Sequence, residues 1–148
     1  MINASNSQLR GLARNPAGPV DGASGLRAMG IVLRNCGSRP YALNGFPVVR
    51  VLDEAGAAPA VTVGNGSAPV SAPDAWDAPA KALTVPPGGT ARARILWRNT
   101  VTDGDAVTAA RLAVRPAPGA PEQQVVPDGG IDLGTTGRLA VNAWREAQ

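Results

Sequence analysis

The chain has 148 residues, the size of one domain with one core, and carries 14 cationic against 11 acidic side chains for a formal net charge of +3. It holds no histidine and one cysteine, Cys36. That composition removes the ligands of copper and zinc sites, the base of a serine–histidine nucleophile and any internal disulfide, and the small net charge argues against a nucleic-acid binder.

Taken in chain order, Met1 to Arg10 are polar and lack the apolar stretch of a signal peptide, so an exported protein would have its leader missing from this sequence. Residues 1–7 are expected to be a flexible N-terminal segment, and Gln8 to Ala13 reads as a first edge strand. Leu26 to Arg34 follows with Met29, Ile31 and Leu33 on one face, and Phe46 to Leu52 sets Val49 and Val51 against Val48 and Arg50. A short strand is expected near Val61 to Val63. It opens a proline-, alanine- and serine-rich stretch, 55–80, whose surface loop carries Asp74, Trp76 and Asp77.

Ala80 to Val85 leads into the clearest strand, Thr90 to Arg98. There Ala91, Ala93, Ile95 and Trp97 alternate with Arg92, Arg94, Leu96 and Arg98, one face dry and the other wet. Ala109 to Arg115, Gln123 to Val126 and Arg138 to Trp144 complete the set, the last with Leu139 and Val141 facing inward. Turn signals separate them at Asp21-Gly22, Asn44-Gly45, Asn65-Gly66, Pro87-Gly88-Gly89, Asp103-Gly104, Pro118-Gly119 and Asp128-Gly129-Gly130. Short strands with turns between them, and no long period of 3.6, predict one all-β domain over 1–148: an immunoglobulin-like antiparallel β-sandwich of seven to nine strands. Its expected core holds Ile31, Leu33, Val49, Val51, Leu83, Ile95, Trp97, Leu112, Val114, Leu139 and Val141.

Few side chains invite chemistry. Lys81 has no partner signature around it, and the carboxylate pairs Asp53-Glu54, Asp74 with Asp77, and Asp103 with Asp105 read as turn residues before they read as calcium ligands. No catalytic residue, metal or cofactor is expected. Two surfaces qualify as a place for a ligand or partner. The first is Trp76 flanked by Asp74 and Asp77, where an exposed ring would stack on a sugar or anchor a protein. The second is the arginine face of Arg92, Arg94 and Arg98, which Arg111 and Arg115 would extend if their strand were the neighbour. The bland reading has Trp76 tucked back onto the sandwich and the arginines as solubilising cover. Cys36 is expected to be a small buried apolar residue with no chemical task; its turn position leaves open exposure and a Cys36-linked dimer, the monomer being the expected state.

Arginine outnumbers lysine thirteen to one, the usage of a GC-rich bacterial genome. The segment Leu33-Arg34-Asn35, then Tyr41-Ala42-Leu43-Asn44-Gly45-Phe46-Pro47 and Val48 to Asp53, resembles a domain-of-unknown-function family of actinobacterial exported proteins and lipoproteins. Val85-Pro86-Pro87-Gly88-Gly89-Thr90-Ala91 before Trp97, Leu112-Ala113-Val114 before prolines, and Gly137-Arg138-Leu139-Ala140-Val141 with Trp144 agree with it. The resemblance covers nearly the whole chain and implies an extracytoplasmic, secreted or envelope-attached protein. The family's disulfide cysteines are missing: Ala4, Tyr41, Ala106 and the Gly134-Thr135 region hold the corresponding places. Composition and resemblance together predict a non-enzymatic binding or structural module of the bacterial cell envelope. Its partner would be a protein or an envelope polymer. The alternatives are a carbohydrate- or anionic-polymer-binding module and, behind it, a hydrolase or calcium-dependent protein.

Overall fold

Alternating apolar residues bury one face of the longer strands Leu26–Asn35, Val48–Leu52 and Thr90–Arg98, and the buried faces close on one another as two layers in the computed structural model, which describes residues 7–11, 25–127 and 129–146. The first layer is one sheet in the order β1 (Ser7–Gly11), β2 (Leu26–Asn35), β7 (Thr90–Arg98), β12 (Arg138–Val141), β5 (Thr62–Asn65). β13 (Arg145–Glu146) lies beside β7 beyond the end of β12. The facing layer holds β10 (Gln123–Val125), β9 (Arg111–Arg115) and β4 (Val48–Leu52), with two ribbons: β3 (Tyr41–Leu43) with β6 (Leu83–Val85), and β8 (Thr108–Ala109) with β11 (Ile131–Asp132). All described pairs are antiparallel except β12 with β5. The chain is all-β and its sheets pack face to face as a sandwich of the immunoglobulin-like kind, not as a closed barrel.

Register explains the packing inside the first sheet. Ile31 stands opposite Ala93 and Leu33 opposite Ala91, so these two large side chains on β2 meet small ones on β7, while Met29 stands opposite Ile95. Met29, Ile31, Leu33, Ile95, Trp97, Leu139 and Val141 from this layer meet Val49, Val51, Leu112, Val114 and Val125 from the other, all buried. The expected core is therefore in place except for Leu83, which packs on its margin half-buried.

Thirteen strand segments among the described residues replace the seven to nine expected, because the chain changes partner within stretches that read as single strands. Ala109 to Arg115 divides at Ala110, whose N–H donates to Leu52 O: β8 pairs with β11 and β9 with β4. Arg138 to Trp144 divides after Val141, where Trp144 N–H leaves the ladder for Gly45 O and its indole Nε1–H donates to Pro116 O at 2.8 Å. β3 and β11 were not anticipated, being too short to show alternation. The expected first strand ends at Gly11, and its last two positions, like the Asp21-Gly22 turn, Asp128, Ala4 and residues 1–6 of the N-terminal segment, lie outside the described residues; Ser7 opens β1.

One fully buried polar side chain ties the layers together at the end of β2. Asn35 Nδ2 donates to Arg39 O at 2.7 Å and to Val85 O at 2.9 Å, and its Oδ1 accepts from Gly37 N–H. Its backbone bonds Gly88 and Gly89 of the turn Pro86–Gly89. A buried amide is stable here because all its hydrogen-bonding groups are matched. Asn35→Leu, which leaves the Val85 carbonyl unpaired in the interior and takes the partner from the Arg39 carbonyl and the Gly37 N–H at its margin, is expected to lower the unfolding free energy by about 2 kcal/mol. Urea titration of the two proteins checks this.

Candidate functional site

The segment after β5 runs back across the outer face of the first sheet as a strap. Gly66 N–H donates to Val141 O at 2.7 Å, and a turn in which Val70 and Ser71 N–H both bond Ser67 O brings Val70 down onto Leu26, Leu96 and Ala140. Leu96 is the apolar residue on the arginine face of β7, and this small second core explains it. The strap then reverses in a single 3-10 turn, Ala75–Asp77. Asp74 caps it by accepting from Trp76 N–H at 2.9 Å while Asp77 Oδ2 accepts from Asp74 N–H at 2.8 Å, a reciprocal capping box.

Arg94 holds the strap down. Its Nη1 and Nη2 donate to both carboxylate oxygens of Asp74, at 2.8 and 2.9 Å, its Nε donates to Asn142 Oδ1 at 2.8 Å, and Nη2 also reaches Ser67 Oγ at 3.2 Å. Asn142, fully buried just after β12, donates through Nδ2 to Ser67 Oγ and to Asp77 Oδ1. Asp77 Oδ1 also accepts from Ser67 N–H at 2.7 Å. Further along β7, Arg98 Nε donates to Val70 O at 2.8 Å. The guanidinium carbons of Arg94, Arg145 and Arg92 lie 5.3, 5.3 and 6.0 Å from the centre of the Trp76 ring, and Arg145 Nη2 donates to Ala75 O at 2.6 Å.

Both expected ligand surfaces are thus one place: the loop of Asp74, Trp76 and Asp77 lies on the arginine face. Trp76 is half-buried there, Arg94 and Arg98 bond the strap, and Arg92 stays exposed. Arg111 and Arg115 do not extend this face. β9 belongs to the opposite layer, where Arg111 meets Gln124 Oε1 and Arg115 donates to Ala120 O. Cys36 is exposed, not buried: Asn35 takes the inward position at the strand end and the next residue turns out to solvent. Asp53 Oδ1 accepts from Ala55 and Ala57 N–H in its turn, Asp103 and Asp105 flank Gly104 on an exposed tip, and Lys81 is exposed.

Ser67, Asn142 and Arg145 were not anticipated. The side chains of Ser67 and Asn142 bond partners 27 or more positions away, which leaves no local pattern. Two signals were present in the sequence: Leu96 interrupting a polar face, and the aspartates three apart that make the capping box.

The electrostatics fix the charge state. The hydrogen bond from Arg94 holds the Asp74 carboxyl below the usual aspartate range. Burial would raise Asp77, but backbone N–H bonds from Asp74 and Ser67 outweigh it and hold Asp77 low as well. Neither carboxylate is a proton donor near neutrality, and Ser67, 1% exposed, is closed to substrates. Among the described residues no group of three or more His, Cys, Asp or Glu could hold a metal ion, and no helix is long and apolar enough to cross a membrane.

Because both folded-state carboxyl values lie below the unfolded ones, their contribution to stability is fully present above about pH 4 and is lost as the pH falls through the depressed values. Limited proteolysis by an acid-active protease is expected to cut the strap faster as the pH drops below that range. Asp74→Asn should flatten this dependence. Arg94→Lys, which cannot reproduce the bidentate pair and the Asn142 bond together, is expected to cost about 2 kcal/mol in a denaturant titration.

A family model described as a domain of unknown function, DUF4232, matches residues 7–145. No curated protein and no solved structure matches the chain. The match spans the sandwich from β1 to the start of β13, strap and arginine face included, and the chain belongs to the DUF4232 family of domains of unknown function.

Proposed function

We propose that this protein is a non-enzymatic module that acts outside the cytoplasm, at the bacterial cell envelope, by binding a protein or an envelope polymer or by structural contact. The observation that carries the non-enzymatic part is the saturation of its richest polar cluster. Asp74, Asp77, Arg94, Asn142 and Ser67 bond one another and the strap backbone, and such internally matched groups fix a surface in shape instead of reacting. The resemblance of the Leu33 to Asp53 segment to actinobacterial exported proteins and lipoproteins supports the location. Among modes of binding, recognition of an anionic polymer is favoured over stacking of a neutral sugar on Trp76, since that ring already has three guanidinium groups about it.

Fractionation of source cells with an antibody to this domain tests the reading. The native protein is expected in the membrane, wall or culture-fluid fraction. Recovery wholly in the cytosol would overturn the envelope assignment, and a turnover measured with the purified protein that survives Arg94→Lys would overturn the non-enzymatic one.

A further inference from the structure

Arg94 and Arg98 are committed to the strap, but among the described residues the Arg92 guanidinium makes no hydrogen bond or ion pair, and its ring contact is with Trp76 at 6.0 Å. Strand register places two more cations beside it. Arg145 on β13 stands directly opposite Arg92, and Arg34 on β2 stands opposite Thr90, one diagonal step from Arg92 on the same face. Arg34 and Arg92 are exposed and Arg145 half-exposed.

Like charges set directly opposite in an antiparallel pair repel and destabilise it. Here the nearby acids do not relieve the repulsion. Asp74 is taken bidentately by Arg94, and the Asp77 oxygens by Ser67, Asn142 and Asp74 N–H. Glu146 occupies the alternate position opposite Ala91, on the other side of the sheet. What steadies Arg92 and Arg145 is the Trp76 ring, whose electron-rich face holds guanidinium groups in place without neutralising them, and the Ala75 carbonyl that accepts from Arg145. Two members of the row are thus held in place, and the row is short of negative charge.

We propose that Arg34, Arg92 and Arg145 form a binding row for an acidic glycan, a linear sugar polymer with oxyanions on successive units. This deepens the proposed binding role and rests on it. Adjacent strands are about 4.8 Å apart, so a row over β2, β7 and β13 spans roughly 10 Å, which a polymer bridges and one small anion does not. Guanidinium forks accept carboxylate and phosphate alike, so the shared chemistry is the repeated oxyanion. Base stacking, the usual partner of phosphate contacts in single-stranded nucleic-acid sites, has no free ring here.

The test is a titration of the full chain with polygalacturonate, a phosphomannan, neutral dextran and single-stranded DNA, by calorimetry at low salt. Binding is expected for at least one acidic glycan and not for dextran, with the carboxylate and phosphate arms telling which oxyanion is preferred. Affinity should fall roughly tenfold or more as salt shortens the screening length to about 3 Å. The double variant Arg34→Ser, Arg92→Ser should abolish it while circular dichroism stays unchanged and the melting temperature does not fall, since the repulsion between Arg92 and Arg145 is relieved. Arg111→Ser, on the opposite layer, should bind as the parent does. Binding that survives the double variant, DNA bound as tightly as the glycans, or no binding to either glycan would each overturn the row. An envelope-located protein that binds none of the probes overturns the row alone, whereas a cytosolic one removes the module reading beneath it.

Discussion

The outer architecture hangs on Arg94. A guanidinium in the middle of a sheet face would ordinarily point into water, and here one such group bonds Asp74, Asn142 and Ser67, contributed by the strap and by the residue after β12. Its side chain is only 16% exposed, so the ion pair with Asp74, itself 48% exposed, sits at the boundary where Coulomb attraction is neither fully screened nor opposed by full desolvation. The planar fork of arginine matters more than its charge. It is what lets a single residue satisfy a carboxylate and an amide at once.

The same logic operates at the end of β2 through a neutral group. Asn35 gathers the end of β2, the residues up to Arg39, β6 and the proline–glycine turn by offering two donors and an acceptor in one plane. By contrast, the bidentate pair between Arg50 and Glu122 at 2.9 Å lies on the surface and contributes little, since exposed ion pairs are screened. Buried polar groups with every partner present therefore set the arrangement of the connections, while the apolar alternation sets the layers.

That division explains what could be read from residues alone. Thr90 to Arg98 announces its strand, and Met29, Ile31, Leu33, Val49 and Val51 announce the buried side of theirs, because alternation is local. The partner switches at Ala110 and after Val141 depend on which distant strand is nearest and leave no mark on the sequence. The site was legible in pieces. Trp76, Asp74, Asp77 and Arg92 to Arg98 stand out by type, but their meeting requires a chain reversal through a stretch of proline, alanine and serine that has no period. Cys36 was misplaced because composition favours burial for cysteine, and the position just past an inward-facing strand end overrides composition.

The parallel pairing of β5 with β12 also sets an order of assembly during synthesis. β5 emerges early from the ribosome, yet its partner in the first sheet is β12, 76 residues further on. Until residue 141 is available, β5 has no ladder to join, and the strap beyond it lacks the Asn142 amide that locks Ser67 and Asp77. β2 and β7 can pair before that, leaving the arginine face and Leu96 uncovered on a nascent sheet. Closure of the outer face is consequently a late event of high contact order, and the arginines there serve as gatekeepers that keep the unfinished sheet from pairing with other chains.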